Sequence, residues 1–372
     1  MKIGILTLPL DENYGGILQA YALQSTLQDL GHEVQVLNIP TPKLISLWEK
    51  FVGILRVIVK MVKYKTRYSI RWWKGPECKL VLQQYTDIFI NKYIQNRFCK
   101  TLSEITENEF DAIVVGSDQV WRKIYFAPNW HTTIEDAFLK FAEKWDIRKI
   151  SYAASFGLDN IDEYSLQEQN NVSRLLRAFD YVSVREASGV DICNNLGKDA
   201  LYVIDPTLLL TRDIYLSLIK DYIFAETGEL FNYILDPSPE KQLVIDDICT
   251  RKSWKSFRVN GYLSDGQSHF IQRPVEDWLS GFSTAKTVIT DSFHACIFSM
   301  IFNKPFLVIP NEERGIARIE SLLDMFGQKE RIVSAIDDVV NKLYLLDKKP
   351  DVTDLISKQK NKSLEFLKNA LK

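Results

Sequence analysis

The sequence predicts an α/β protein built as two doubly wound parallel sheets facing each other across a cleft. Three observations carry this. The chain opens on a strand–helix–strand unit, "KIGILTL" (2–8), "ILQAYALQSTLQDLG" (17–31) and "HEVQVLNI" (32–39). Short apolar strands alternating with amphipathic helices form parallel sheets. The same alternation runs a second time beyond residue 210. Strands in both halves end on Gly, Ser, Asp or His, and open α/β sheets bind ligands beyond the carboxyl ends of their strands.

The elements follow in order. "KIGILTL" is an apolar run suited to a strand buried on both faces. "DENYGG" (11–16) is turn chemistry, and the helix after it closes at Gly31, a natural C′ glycine. Residues 43–74 then break the rhythm with nine Lys/Arg against one Glu. On a helical wheel Lys50, Arg56, Lys60 and Lys63 share one face, and Trp48, Phe51, Leu55, Ile58 and Val62 the other. This basic amphipathic insertion reads as an interfacial helix in peripheral membrane contact, or as a helix packed on its own domain with a solvated basic face.

Strands are expected again at "FDAIVVGSDQVW" (110–121), "RKISYAASFG" (148–157), "YVSVRE" (181–186) and "ALYVIDPTLLL" (200–210), with a helix near 165–178. Pro206 and the changed pattern after it predict a boundary near 210. Residues 1–210 are thus expected to form an N-terminal Rossmann-like domain. Residues 211–350 follow as a second Rossmann-like domain, with strands at "LFNYILD" (230–236), "WKSFRVN" (254–260), "KTVITDS" (286–292) and "KPFLVIP" (304–310). The last helix, in 351–372, is expected to pack back on the N-terminal domain.

A length of 372 residues fits two domains, and 46% hydrophobic with 25% charged residues is the make-up of a folded chain. The net charge of −2 supplies no basic field for nucleic acid. The five cysteines (78, 99, 193, 249 and 296) are scattered, with no CxxC. That excludes a disulfide framework or a zinc ribbon and suits a reduced cytoplasm. No leader-like start and no apolar run of about 18 residues stand in the sequence. The expected location is cytoplasmic, at the inner face of the membrane if 43–74 lies on lipid.

"TDSFHACIFSMIFNKP" (290–305) carries the sharpest chemical signal, since His294 is one of only four histidines. Asp291 or Ser292 would cap the helix there, leaving first-turn N–H groups to meet an anion. His294 could then bind a phosphate oxygen or move a proton, or simply pack. Arg314 and Arg318 in "NEERGIAR" share a face if helical, to hold a carboxylate or phosphate or to stand in solvent. Arg185 in "SVRE" could meet an anion or pair with Glu186. Asp118 in "VGSDQVW" could act as base toward a sugar hydroxyl or cap a helix. "YGG" (14–16) is a weak phosphate signal. GxGxxG, GKS/T, HExxH and GxSxG are all lacking, so nucleotide hydrolysis, zinc proteolysis and serine hydrolysis have no motif support. Neither a cofactor nor a metal is implied.

Taken in order, "NYGGILQAYALQ" (13–24), "DAIVVGSDQVW" (111–121), "ISYAASFG" (150–157), "YVSVREASG" (181–189), "VIDPTLL" (203–209), "TDSFHACIFSMIFNKPF" (290–306) and "ERGIARIESLLDMFG" (313–327) resemble the polysaccharide pyruvyl transferase family. The resemblance implies a GT-B-like architecture with the active site between the domains, residues 1–210 on the acceptor side and residues 211–350 on the donor side. It implies phosphoenolpyruvate as donor and a saccharide as acceptor, part of a capsular or exopolysaccharide or of a lipid-linked glycan precursor, joined through a pyruvyl ketal. His294 and Arg185 are implied to line the donor site. Ser292, Arg314 and Arg318 are expected beside them, and Tyr14, Gly15, Gly16, Ser117 and Ser155 on the acceptor side. One position departs from the pattern: many members carry an arginine two places before the histidine, where this chain has Ser292. Arg314, Arg318 or the helix N–H groups are the expected substitutes. The alternatives are a GT-B-type glycosyltransferase with a nucleotide-sugar donor, or a non-catalytic member.

Overall fold

The computed structural model describes residues 1–40, 76–259, 262–263, 270–310, 316–333 and 336–372. The basic segment 43–74 and Arg314 lie outside the described residues. Strands β1 (Lys2–Leu6), β2 (Glu33–Asn38), β3 (Asn96–Phe98), β4 (Ala112–Val115) and β5 (Arg148–Ser151) form one parallel sheet in the order β3-β2-β1-β4-β5. The apolar run of β1 is explained by its central place. Ile3 and Ile5 enter the core beneath the Tyr14–Asp29 helix, whereas Leu6 packs with Trp121 and Val115 in a second core. Strands β6 (Ser183–Val184) and β7 (Leu201–Tyr202) extend this sheet through the bridges Ile150–Tyr181 and Ala154–Val184.

The strands expected over 148–157 and 200–210 are much shorter in the structure. Ala153 adopts a left-handed φ of 52°, which ends the extended run of β5. After β7 the backbone turns at Asp205, which caps a short 3₁₀ helix, Pro206–Leu209, with Pro206 at its first position.

The second sheet uses β8 (Leu230–Tyr233) and β9 (Ser256–Phe257), then, past an antiparallel pair β10 (Tyr262–Leu263) and β11 (Phe270–Ile271), β12 (Thr287–Thr290) and β13 (Phe306–Val308). Its order is β13-β12-β8-β9, all parallel. One core runs from the first sheet into the second: Tyr14 stacks on Trp278 with ring centroids 5.5 Å apart, and its hydroxyl donates to the Arg273 carbonyl at 2.9 Å. The Thr353–Ala370 helix lies against the first half. There Phe366 meets Tyr152, Ser363 Oγ accepts from Ile204 N at 3.3 Å, and Arg148 Nη1 donates to the Ala370 carbonyl at 2.9 Å.

The first helix starts earlier than its apolar spacing suggests. Asn13 Oδ1 accepts from Gly15 N at 3.1 Å, so Gly15 and Gly16 belong to its first turn rather than to a preceding loop. Among the described residues no helix is long and apolar enough to cross a membrane, and no group of three or more His, Cys, Asp or Glu could hold a metal ion. Cys99, Cys193, Cys249 and Cys296 are free thiols.

Candidate active site

A cavity of about 480 Å³ opens where the carboxyl ends of the two sheets meet. The first half contributes the loop after β1, Gly15 and Gly16 at the helix start, and Asp118 and Gln119 after β4. The second half contributes Tyr233, Trp278, Ser292, Phe293, His294 and Arg318.

The Phe293–Ile301 helix is aimed at this cavity by its own cap. Ser292 Oγ accepts from Ala295 N at 3.4 Å, and Ser292 N donates to Thr290 Oγ1 at 3.0 Å. Asp291 turns away. Its buried carboxylate accepts from Leu235 N at 2.6 Å, Asp236 N at 3.2 Å and Lys241 Nζ at 2.7 Å, which fixes the loop after β8. Of the two expected caps, Ser292 is the one used.

His294 follows in the first turn and is 7% exposed. Its ring packs on the bare backbone of Gly15: a Cβ built there would sit 2.1 Å from His294 Nδ1. The glycine of "YGG" therefore makes room for the histidine. On its other edge, Nε2 stands 3.6 Å from Asp205 Oδ2, an ion-pair contact longer than a hydrogen bond.

Asp205 is the hub that sequence reasoning missed. Oδ2 accepts from Arg185 Nη1 at 2.8 Å and from Ser117 Oγ at 3.0 Å, while Oδ1 accepts from Thr207 N at 3.0 Å and Thr207 Oγ1 at 2.7 Å. Burial alone would raise its pKa. The facing His294 ring and the Arg185 guanidinium override that and hold the carboxyl well below the usual carboxylate range. The local signal, Asp-Pro-Thr, announces only the 3₁₀ cap. That the other oxygen gathers an arginine and a histidine distant in sequence is a tertiary fact.

Arg185 is buried behind the cavity wall and not in it. Nη2 reaches Asp118 Oδ1 at 3.3 Å, and the guanidinium carbon lies 4.7 Å from the centre of the Phe293 ring. Arg318 approaches the same ring at 5.6 Å, within cation–π range, and does line the cavity. Burial, with the positive charge of Arg185 beside it, pushes Arg318 down to about 10, so it stays charged at neutral pH. Burial raises the Glu186 carboxyl against the pull of both arginines. That carboxyl accepts from Phe156 N at 2.7 Å and Gly157 N at 3.3 Å, which shapes the loop after β5.

Asp118 adopts a left-handed φ of 75°, a conformation aspartate tolerates better than most residues. The turn leaves Oδ1 to Arg185 and Gln119 N, while Oδ2 makes no hydrogen bond among the described residues. The structure thus gathers His294, Asp118, Ser292, Arg318, Gly15 and Gly16 on one cavity, with Arg185 a layer behind. Tyr14, Ser117 and Ser155 do not reach it. Tyr14 is spent on Arg273, Ser117 on Asp205, and Ser155 Oγ accepts from Gly157 N at 3.1 Å.

Two parallel sheets meeting at a cavity by their carboxyl ends define a GT-B-type α/β protein. The solved structures it resembles agree. UDP-GlcNAc 2-epimerase from Methanocaldococcus jannaschii superposes with a TM-score of 0.52 at 12% identity, over 99% of this chain and 100% of that one. The Neisseria meningitidis UDP-GlcNAc 2-epimerase bound to UDP-GlcNAc gives 0.54 at 10% identity over the same shares. At such identities the likeness speaks for the fold. No curated protein sequence matches this one. The family model for polysaccharide pyruvyl transferase matches residues 13–313, and the chain belongs to that family.

Proposed function

We propose that this chain transfers the pyruvyl group of phosphoenolpyruvate onto two hydroxyls of a saccharide, forming a pyruvyl ketal. The observation that carries the proposal is the convergence of His294, Arg318 and the Ser292-capped helix end on one cavity that Asp118 enters from the other sheet. Phosphoenolpyruvate carries close to three negative charges and needs several cationic or N–H donors. Arg318 and the first-turn N–H groups supply these, and Arg185 adds its charge from behind Phe293. In this reading residues 211–350 present the donor and residues 1–210 the acceptor.

His294 holds the phosphate and passes a proton to the methylene carbon, which leaves an oxocarbenium-like centre on the carbon bearing the phosphate. One sugar hydroxyl attacks that centre and gives its proton to Asp118 Oδ2. A second hydroxyl then attacks the same carbon, the carbon–oxygen bond to phosphate breaks, and inorganic phosphate leaves with the second proton. General acid–base help of this kind is worth about 10²–10⁴-fold. Work in the cytoplasm, at the membrane face when the acceptor is lipid-linked, completes the reading.

The test is incubation of the full chain with phosphoenolpyruvate and a panel of saccharides, following phosphate release. His294→Ala and Arg318→Ala should each lose it while remaining folded. Thermal protection by nucleotide sugars but not by phosphoenolpyruvate would favour the glycosyltransferase alternative. Saccharide binding with no phosphate release would make this a non-catalytic member.

A further inference from the structure

His294 has two ring nitrogens, and the structure surrounds them differently. Nε2 is buried, makes no hydrogen bond to a described residue, and stands 3.6 Å from Asp205 Oδ2. Asp205 is itself 2% exposed and lies behind the cavity wall. Nδ1 lies on the Gly15 side of the ring, and Gly15 lines the cavity. A side chain at Gly15 would cover that nitrogen, since its Cβ would come within 2.1 Å of it. The bare glycine leaves Nδ1 uncovered.

These surroundings impose one tautomer. A neutral imidazole carries one N–H, and its other nitrogen is an acceptor. Asp205 stays ionised at neutral pH, and an ionised carboxylate can only accept. A bare Nε2 would set its lone pair against a carboxylate oxygen, whereas Nε2–H is drawn to it. A buried ring N–H also needs a partner, and Asp205 is the one in reach. The proton of the neutral ring therefore belongs on Nε2. Nδ1 is then the nitrogen that gains and loses the second proton.

The carboxylate that makes this choice is fixed in place. Thr207 N and Thr207 Oγ1 donate to Oδ1 at 3.0 and 2.7 Å, while Arg185 Nη1 and Ser117 Oγ donate to Oδ2 at 2.8 and 3.0 Å. Four donors from three elements leave Asp205 no freedom to turn away from the ring. A ring shift of about 0.5 Å would close the contact to a hydrogen bond. Catalytic hydrogen bonds are often long in an empty site and tighten when the ligand arrives.

We infer that Asp205 is a positioning residue for His294: it holds the proton on Nε2 and so makes Nδ1 the nitrogen that serves the cavity. That this nitrogen protonates phosphoenolpyruvate rests on the reaction proposed above; the tautomer does not. In that reaction the doubly protonated ring gives its Nδ1 proton to the methylene carbon, and the electron pair of the carbon–carbon double bond forms the new C–H bond. The ring is left neutral, with Nε2–H on Asp205. Nδ1 regains a proton from water, and Asp118 returns to water the one it took from the sugar hydroxyl.

Histidine-selective ¹⁵N labelling of the full chain tests the inference by nuclear magnetic resonance. His294 is one of four histidines, and His294→Asn identifies its signals by their loss. At about pH 9, above the ordinary titration range of histidine, the ring should show a proton on Nε2 that exchanges slowly with water and a bare Nδ1. In Asp205→Asn the Nε2–H proton signal should move upfield, because a neutral amide is a weaker acceptor than a carboxylate. Inorganic phosphate added at neutral pH should change the Nδ1 signal more than the Nε2 signal. Where phosphate release is measurable, Asp205→Asn should lower kcat about 100-fold while KM for phosphoenolpyruvate stays within about threefold.

The inference is overturned if the neutral ring carries its proton on Nδ1, or if the Nε2–H signal is the same in Asp205→Asn. It is also overturned if phosphate leaves Nδ1 unmoved, or if the loss of phosphate release falls wholly on KM. The wild-type spectrum decides the tautomer by itself should Asp205→Asn fold poorly. The Nε2–H tautomer on Asp205 without any phosphate release keeps the inference and removes the reaction. Phosphate release from a ring protonated on Nδ1 keeps the reaction and removes the inference.

Discussion

Gly15→Ala tests the site through a single added carbon. Its Cβ would stand 2.1 Å from His294 Nδ1, 2.5 Å from Cγ and 2.7 Å from Cε1, all far inside van der Waals contact. The ring must retreat by more than about 1 Å or the helix start must shift, and a well-packed site resists either by about 1–3 kcal/mol. Against this, alanine in a helix gains up to about 1 kcal/mol over glycine. The net expectation is a loss of about 0–2 kcal/mol in stability, measured by urea unfolding. The decisive measurement is the double-mutant cycle with His294→Ala, which removes the atoms in conflict. Gly15→Ala should then become neutral or stabilising, giving a coupling of about 1–3 kcal/mol. Phosphate release should fall about 100-fold in Gly15→Ala alone, because a displacement near 1 Å is enough to cost that much. A coupling below about 0.5 kcal/mol, with phosphate release unchanged, would refute the view that Gly15 is bare to seat His294.

Other outcomes follow from the same geometry. Asp205 is held ionised in the fold, whereas in the unfolded chain it takes up a proton near pH 3.9. Below that pH the unfolded state binds the extra proton, so the stability Asp205 contributes is present above about pH 4 and erodes as pH falls further. Asp205→Asn should cost about 3 kcal/mol at neutral pH by leaving the buried Arg185 short of a partner, and should flatten the acid limb of a urea-unfolding series. An equal slope in both proteins would count against it. Arg318→Ala should weaken phosphoenolpyruvate binding by about 10–100-fold, the worth of a charged hydrogen bond, read by calorimetry; undiminished binding would remove Arg318 from the donor site. Phe366→Ala, which empties the contact with Tyr152 and Tyr181, should cost about 3 kcal/mol, with a thermal-unfolding midpoint that drops accordingly.

Much of the architecture was legible because it is local. The apolar runs of β1, β2 and β4 and the spacing of the first helix are set by side chains a few residues apart. The strands that fell short were cut by backbone events, such as the left-handed Ala153, that apolar content does not announce. The site divides in the same way. His294 at a capped helix start and Asp118 at a strand end could be read from their neighbours. Asp205 could not, because its second oxygen serves Arg185 and His294, which the two sheets bring from opposite sides. Gly15 read as a turn residue, and the reason for it lies on the far side of the cavity.

Ser292 stands where many family members place an arginine, and in the proposed reading the charge that arginine would bring comes from another element. The Ser292 hydroxyl is committed to the helix cap, and a cation reaches the same wall from another element, Arg318, whose guanidinium lies over the Phe293 ring. Arg185 lies over that ring as well, so two guanidinium groups share one aromatic side chain with little solvent between them. Arg185 is paired with Asp205 and Asp118, and Arg318 is held below its ordinary pKa by burial and by Arg185, with Asp118 and Glu186 pulling the other way. In the proposed reaction a trianionic donor entering the cavity would meet Arg318 directly, with Arg185 behind the Phe293 ring. An arginine at position 292 would add a third cation beside Phe293 and remove the hydroxyl that caps the helix.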